Sequence, residues 1–463
     1  MLQLLKKCKH VLLHLVNKIL NNMKIFFYIL CAILYFIFFS CSQKKNTLLF
    51  TNPDNDLINK IDIHSKFHVP VKKITSKPGY HWFAYYDKIQ CDPTNRYVLG
   101  MQAKFEHRSP TPEDVIDIGM IDLQDDCKWI KLGESRAWGW QQGCQLQFIP
   151  GSVNEVLWND KEGNHFVCHI MNIETKEKRT IPWPIYSLSP DGKWAVTTDY
   201  RRVNDTRPGY GYAGISDPAA NELAPESSGI WKIDLETGEA KLIISLAQAA
   251  AIPNPHDKDF TEAKHWFNHL LVNPDGSRFI FLHRWRYTDA EKNKQYKGVG
   301  GFGTRMFTAS NDGTDLRIID PYNYTSHFIW RDPSHILAWT RIPEKGDGFF
   351  LFEDSPEENI VQVGKGVMTL NGHCTYLPGT DWILNDTYPS RKERLQSVYL
   401  YNEASGEYIP LADFYSPPEY KGEWRCDTHP RSSSDGNFVI IDSPNLEGRQ
   451  MYILDIRDIL NGK

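Results

Sequence analysis

Short apolar runs of three or four residues recur along the chain, each following a turn built from Gly, Pro, Asp, Asn or Ser. Asp92-Pro93-Thr94-Asn95 leads into Tyr97-Val98-Leu99, Pro150-Gly151-Ser152 into Val156-Leu157-Trp158, and Pro190-Asp191-Gly192 into Trp194-Ala195-Val196. Pro274-Asp275-Gly276 leads into Phe279-Ile280-Phe281, Asp332-Pro333-Ser334 into Ile336-Leu337-Ala338, Pro378-Gly379-Thr380 into Trp382-Ile383-Leu384, and Ser434-Asp435-Gly436 into Phe438-Val439-Ile440. A second set of turns, clearest at 234–238, 311–313 and 402–406, precedes further apolar runs such as Ala240–Leu246 and Leu316–Ile319. Pro fixes φ and Gly frees it where a chain must reverse, so runs between such turns read as hairpin strands. Four strands recurring about every 40–60 residues predict an all-β fold, a seven-bladed β-propeller.

The seventh unit reaches only its third strand, Gln450–Ile456. Val69–Thr75 is the expected donor of the missing one. An N-terminal strand closing the last blade would remove the free sheet edges. The third unit carries an insertion, Arg201–Ser228, rich in Arg, Gly, Pro and Tyr. A long loop of this kind is either functional or plainly solvated.

The first 40 residues carry five lysines and no acidic residue, so removing them takes the net charge from -5 to -10. An acidic mature chain lacks the basic footprint of nucleic-acid binding. Ile25 to Ser40 is almost continuously apolar, short for a membrane span and suited to a signal segment. The small residue before Cys41 resembles a bacterial lipoprotein cleavage site, which makes Cys41 the lipidated residue; an uncleaved anchor is the other reading. The expected layout is an export segment over 1–41, with Met23 as an alternative start, a polar tether over 42–66 and the propeller over 67–463. The expected location is the periplasm or outer membrane of a bacterium, with membrane attachment through the N-terminal lipid. Six cysteines follow Cys41 with no CxxC pair, which argues against a structural zinc site and leaves disulfide connectivity open, as it does the oligomeric state.

The first strand of each blade lines the channel of a propeller. The corresponding segments here carry His81, Gln141 with Gln142, His265 with Asn268 and His269, His327, His373 and His429. Asp427, two residues before His429, shares its face if that segment is extended. Imidazoles pooled near one axis suit metal binding or proton transfer, because the ring both ligates metals and titrates near neutrality. Polar filling of the channel is the plainer reading of any one of them. Arg305 and the run His283-Arg284-Trp285-Arg286 add cations in the fourth unit, and guanidinium suits bidentate capture of a carboxylate.

Several stretches resemble the oligogalacturonate lyase family (polysaccharide lyase family 22). They are Asn268-His269, Phe281-Leu282-His283, Arg305-Met306-Phe307, Ser326-His327-Phe328-Ile329-Trp330, Gly372-His373-Cys374 and Thr428-His429-Pro430. The resemblance implies cleavage of uronic-acid oligomers by metal-assisted β-elimination. It puts His327 at the base, Arg305 at the cation near the substrate, His373 and His429 at metal ligands, and His269 and His283 at further site histidines. Asp427 stands where the family has a ligand histidine, and Trp424 where it has a ligand glutamine. A carboxylate still suits a hard divalent ion, Mn2+ first among the candidates, whereas an indole offers it no donor. The expected partner is an acidic oligosaccharide. A non-catalytic glycan- or protein-binding propeller is the main alternative, and a hydrolase on the same scaffold the next.

Overall fold

The computed structural model describes residues 64–296, 300–357, 359–445, 447–460 and 462. The expected export segment, with Cys41, and all but the last few residues of the tether lie outside the described residues. Seven antiparallel sheets follow one another along the chain. Blade one is Tyr80–Trp82, Tyr97–Ala103, Ile116–Asp122 and Lys128–Ser135; blade two is Gln147–Phe148, Glu155–Glu162, His165–Asn172 and Lys178–Ile181. Blade three is Ser187–Leu188, Trp194–Thr198, Gly229–Asp234 and Ala240–Ser245; blade four is Lys264–Val272, Arg278–Arg286, Gly303–Ser310 and Arg317–Asp320. Blade five is Phe328–Asp332, His335–Ile342, Gly346–Glu353 and Ile360–Val363; blade six is Thr375–Tyr376, Trp382–Asp386, Leu395–Asn402 and Tyr408–Tyr415. Each of the seven apolar runs read from the sequence falls in a second strand, where both faces of the sheet are covered by neighbouring blades.

Blade seven has Arg431–Ser432, Phe438–Ser443 and Gln450–Asp455 from the C-terminal end, and Val71–Lys73 completes it, pairing Val71 with Leu454 and Lys73 with Tyr452. The N-terminal strand therefore closes the last blade. Gln450 is the clasp: its Oε1 accepts from Thr75 Oγ1 at 2.6 Å and lies 3.1 Å from His81 Nδ1, while its Nε2 donates to the Gly79 carbonyl. A second, unanticipated strand, Lys66–Phe67, adds to the outer edge of blade six.

Large apolar side chains fill the blade interfaces, with Trp82, Trp138, Trp140 and Trp158 between blades one and two. The insertion of blade three is packed rather than solvated. It opens with a helix, Tyr200–Thr206, and the buried Arg202 pairs with Asp217 and donates to the carbonyls of Ala219, Glu222, Leu223 and His265. All six cysteines among the described residues are free thiols.

Candidate functional site

The histidines do not lie in the innermost strands of blades five, six and seven, as expected, but directly ahead of them. His327 precedes Phe328–Asp332, His373 precedes Thr375–Tyr376, and His429 precedes Arg431–Ser432. His269 lies within Lys264–Val272, where the register with the next strand slips between Asn268 and Leu271. His269 and His429 both adopt positive φ, 54° and 42°. This left-handed conformation is costly for a side chain with a Cβ and is found where surrounding structure enforces it.

These residues meet around two tyrosines of blade one. The Tyr85 ring lies 5.2 Å from His269, 5.9 Å from His373 and 4.8 Å from His429. The Tyr86 ring lies 5.7 Å from His269, 6.0 Å from His327 and 5.3 Å from His373. His269, His327, His373, Asp427 and His429 are therefore one cluster, with exposures of only 1–5%.

Within it, one ligand atom each from His373, Asp427 and His429 lies within 4.8 Å of the other two. His373 Nε2, His429 Nε2 and Asp427 Oδ1 are buried without a hydrogen-bond partner among the described residues. Buried polar atoms are nearly always satisfied, so three orphans facing one another suit a cation. Asp386 orients this set. Its carboxylate accepts from His373 Nδ1 at 3.0 Å, from the His373 and His429 backbone N–H at 2.6 and 3.2 Å, and from Thr428 Oγ1 at 2.6 Å. A carboxylate on the far nitrogen fixes the ring's tautomer and leaves Nε2 as the free donor atom.

His327 stands beside the triad, its ring 4.1 Å from that of His373. Its Nδ1 lies 2.9 Å from Asn371 Oδ1, and Tyr388 Oη lies 3.4 Å from its Nε2. Since the Asn371 oxygen can only accept, Nδ1 carries the proton and Nε2 the lone pair. Burial, reinforced by His373, holds the His327 pKa well below the ordinary value. Burial does the same for His269 and, with His373 again beside it, for His429. Behind His269, the Lys88 ammonium lies 3.3 Å from the Asp87 carboxylate in a buried ion pair.

Two charged elements not anticipated as site groups border the cluster. Arg425 donates through Nε to Asp427 at 2.7 Å and through Nη2 to Tyr210 Oη at 2.8 Å. Tyr210 comes from the blade-three insertion, on a turn where Gly209 has φ 95° and a Cβ would meet Glu423. Burial raises the Tyr210 pKa, but the guanidiniums of Arg207 and Arg425 more than offset this and lower it.

Arg305 and His283 are not part of this cluster. They face one another across two middle strands of blade four. Arg305 is fully buried and donates to the carbonyls of Ala249, Ile252 and Pro253, with His283 Nδ1 3.1 Å from its Nη2. It ties down the end of the helix Leu246–Ala251, whose last carbonyls need donors. His283 is held against His265 at 2.9 Å. His81 is likewise taken up, between Gln450 and Gln102. Gln141 and Gln142 lie in the approach to blade two, and Trp424 donates to the Glu419 carbonyl.

Tyr85, Tyr86, Asn371, Asp386, Tyr388 and Arg425 are not among the residues the sequence singles out, while the Arg207–Tyr210 turn belongs to the insertion Arg201–Ser228, for which a functional role is one of the two expectations. Only Asp386 had a usable signal, an acidic residue at the inner end of a second strand beside a histidine segment.

No protein-family model matches the sequence, and no curated protein does. Solved structures do. Oligogalacturonate lyase from Vibrio parahaemolyticus superposes with a TM-score of 0.57 at 14% identity, over 85% of this chain and 96% of that one. A second oligogalacturonate lyase, in complex with manganese, gives 0.59 at 14% identity, over 84% and 94%. The fold is shared with oligogalacturonate lyase. The shared architecture is the seven-bladed propeller.

Proposed function

We propose that this chain is a lyase that cleaves uronic-acid-containing oligosaccharides by metal-assisted β-elimination. The observation that carries the reading is the set His373, Asp427 and His429, three unpartnered buried ligand atoms beside a neutral histidine, on a propeller whose fold is similar to that of oligogalacturonate lyase. The donor set, two imidazoles and a carboxylate, fits a hard or borderline divalent ion such as Mn2+. Held there, such an ion would supply positive charge against the negative charge that builds on the substrate carboxylate.

The protein's own groups supply the rest. His327 takes the proton from the carbon next to the carboxylate through Nε2, its tautomer held by Asn371. The bond from the neighbouring carbon to the glycosidic oxygen breaks, that oxygen takes up a proton, and the new terminal sugar is unsaturated. Arg425, not Arg305, is the guanidinium beside the cluster. On the reading of Cys41 as a lipidated residue, the enzyme acts outside the cytoplasm, tethered to a membrane.

A second reading, a glycan-binding propeller without catalysis, is favoured by one observation: the cluster is at most 5% exposed, so a sugar must displace its cover to touch His327. The assay separates the two. Incubated with a panel of uronic-acid oligosaccharides, the protein should produce the ultraviolet absorbance of an unsaturated uronide, lost with a chelator and restored by Mn2+. Binding without that product would establish the second reading.

A further inference from the structure

Outside the histidine cluster, the face of blade four opposite Arg305 gathers three arginines around one ring. The guanidinium carbons of Arg207 and Arg284 each lie 4.9 Å from the centre of Phe302, and that of Arg286 lies 5.5 Å from it. None of the three has a carboxylate partner among the described residues. Arg284 is 4% exposed, and its Nε and Nη1 are buried without an acceptor, as is Nε of Arg286. The other Arg286 nitrogens reach only the Thr206 and Gly300 carbonyls.

Guanidinium does not shed its proton in a protein, so charge and donors must be matched or left unsatisfied. Two other buried arginines have carboxylate partners, Arg202 in Asp217 and Arg431 in Asp442, while the buried Arg305 donates through its Nη1 and Nη2 to the carbonyls of Ala249, Ile252 and Pro253. The aromatic face of Phe302 offers attraction, but no acceptor for the N–H groups. Burial and the nearness of Arg207 also lower the Arg286 pKa, which marks the two cations as mutually repelling. What such a cluster lacks is an oxyanion.

The cluster is continuous with the site. Arg207 stacks on Tyr210 at 3.9 Å, Tyr210 is bonded to Arg425, and Arg425 to Asp427. We propose that Arg207, Arg284 and Arg286 form an anion subsite that takes a second carboxylate of the acidic oligosaccharide, one sugar or more from the bond that is cleaved. This rests on the lyase reading for the identity of the sugar, but not for the presence of the anion site. Its consequence is specificity for oligomers that carry charge on adjacent residues.

The test uses trisaccharides containing galacturonate, glucuronate or guluronate, and their methyl esters. Binding to the wild-type protein is measured by calorimetry, separately from product absorbance. At least one acidic trisaccharide should bind more tightly than its ester, and Arg207→Gln and Arg286→Gln should each weaken it by about tenfold or more. Arg207 is part-exposed, so its replacement leaves the core intact. Arg284→Met should raise the unfolding temperature of the free protein while weakening binding, because it removes an uncompensated buried charge; a purely structural arginine would give a fall. Equal binding of acid and ester, or arginine variants that bind as wild type, would overturn the subsite. Absence of unsaturated product with charge-dependent binding intact would overturn the lyase reading alone.

Discussion

Replacing Asp386 by Asn removes one charge and one acceptor atom from the group that orients the triad. Four donors enter the carboxylate: the His373 N–H, His373 Nδ1, Thr428 Oγ1 and the His429 N–H. If the remaining oxygen keeps His373, the amide nitrogen faces Thr428 and His429. The threonine hydroxyl can turn and accept. The His429 N–H cannot, and one buried orphan donor costs about 1–3 kcal/mol. The bond from His373 Nδ1 also loses its ionic partner, and charge-assisted bonds are roughly twice as strong as neutral ones. Loss of such an outer partner weakens metal binding by roughly 10–100-fold. Two measurements follow: Mn2+ titration, expected to weaken in that range, and urea unfolding, expected to shift its midpoint with no change in slope. Thr428→Val in the Asp386→Asn background should cost less than in wild type, since the two share one network. Metal affinity equal to wild type in Asp386→Asn would refute the claim that Asp386 sets the orientation of His373, whatever happens to stability.

His327→Ala should lower turnover by about 10²–10⁴-fold while leaving substrate affinity nearly unchanged, as steady-state kinetics on the ultraviolet product would show. Because burial keeps the His327 pKa low, the acidic limb of the rate profile should lie below pH 6.5. Buried His81 has a pKa lowered to about 4, by burial first, so below 6.5 the unfolded chain takes up a proton that the native state refuses. Stability should be full above that pH, fall towards pH 4 by about 3 kcal/mol on this account alone, and fall by that much less in His81→Gln, measured by urea unfolding at each pH. Cys41→Ser should abolish lipid labelling in cells; labelling that persists would place the lipid elsewhere.

The propeller was legible because its signal is local and repeated. A turn such as Pro190-Asp191-Gly192 fixes where a strand begins, and the apolar run after it must be covered on both faces. Closure by Val69–Thr75 was legible for a related reason, since a three-stranded last blade leaves an edge. The innermost strands gave no such signal. Those of blades two, three, six and seven are two residues long, too short for alternation to set which way a side chain points. That accounts for His373 and His429, which stand just ahead of such two-residue strands, whereas His327 stands one residue ahead of the five-residue strand Phe328–Asp332.

The misplacement of Arg305 has a different origin. Its motif is intact, but what a guanidinium does depends on the acceptors around it. The helix Leu246–Ala251, in the link between blades three and four, brings three carbonyls to Arg305, and no pattern within Gly303–Phe307 announces them. The cations that border the site instead come from the blade-three insertion and from the approach to blade seven, more than 200 residues apart in sequence yet joined through Tyr210. The same separation hid Tyr85, whose ring meets His429 of blade seven at 4.8 Å only because Gln450 and Val71–Lys73 bind the two ends of the ring together. The clasp that closes the fold therefore also brings the tyrosines of blade one against the triad, which the consecutive blades six and seven assemble between them around Asp386.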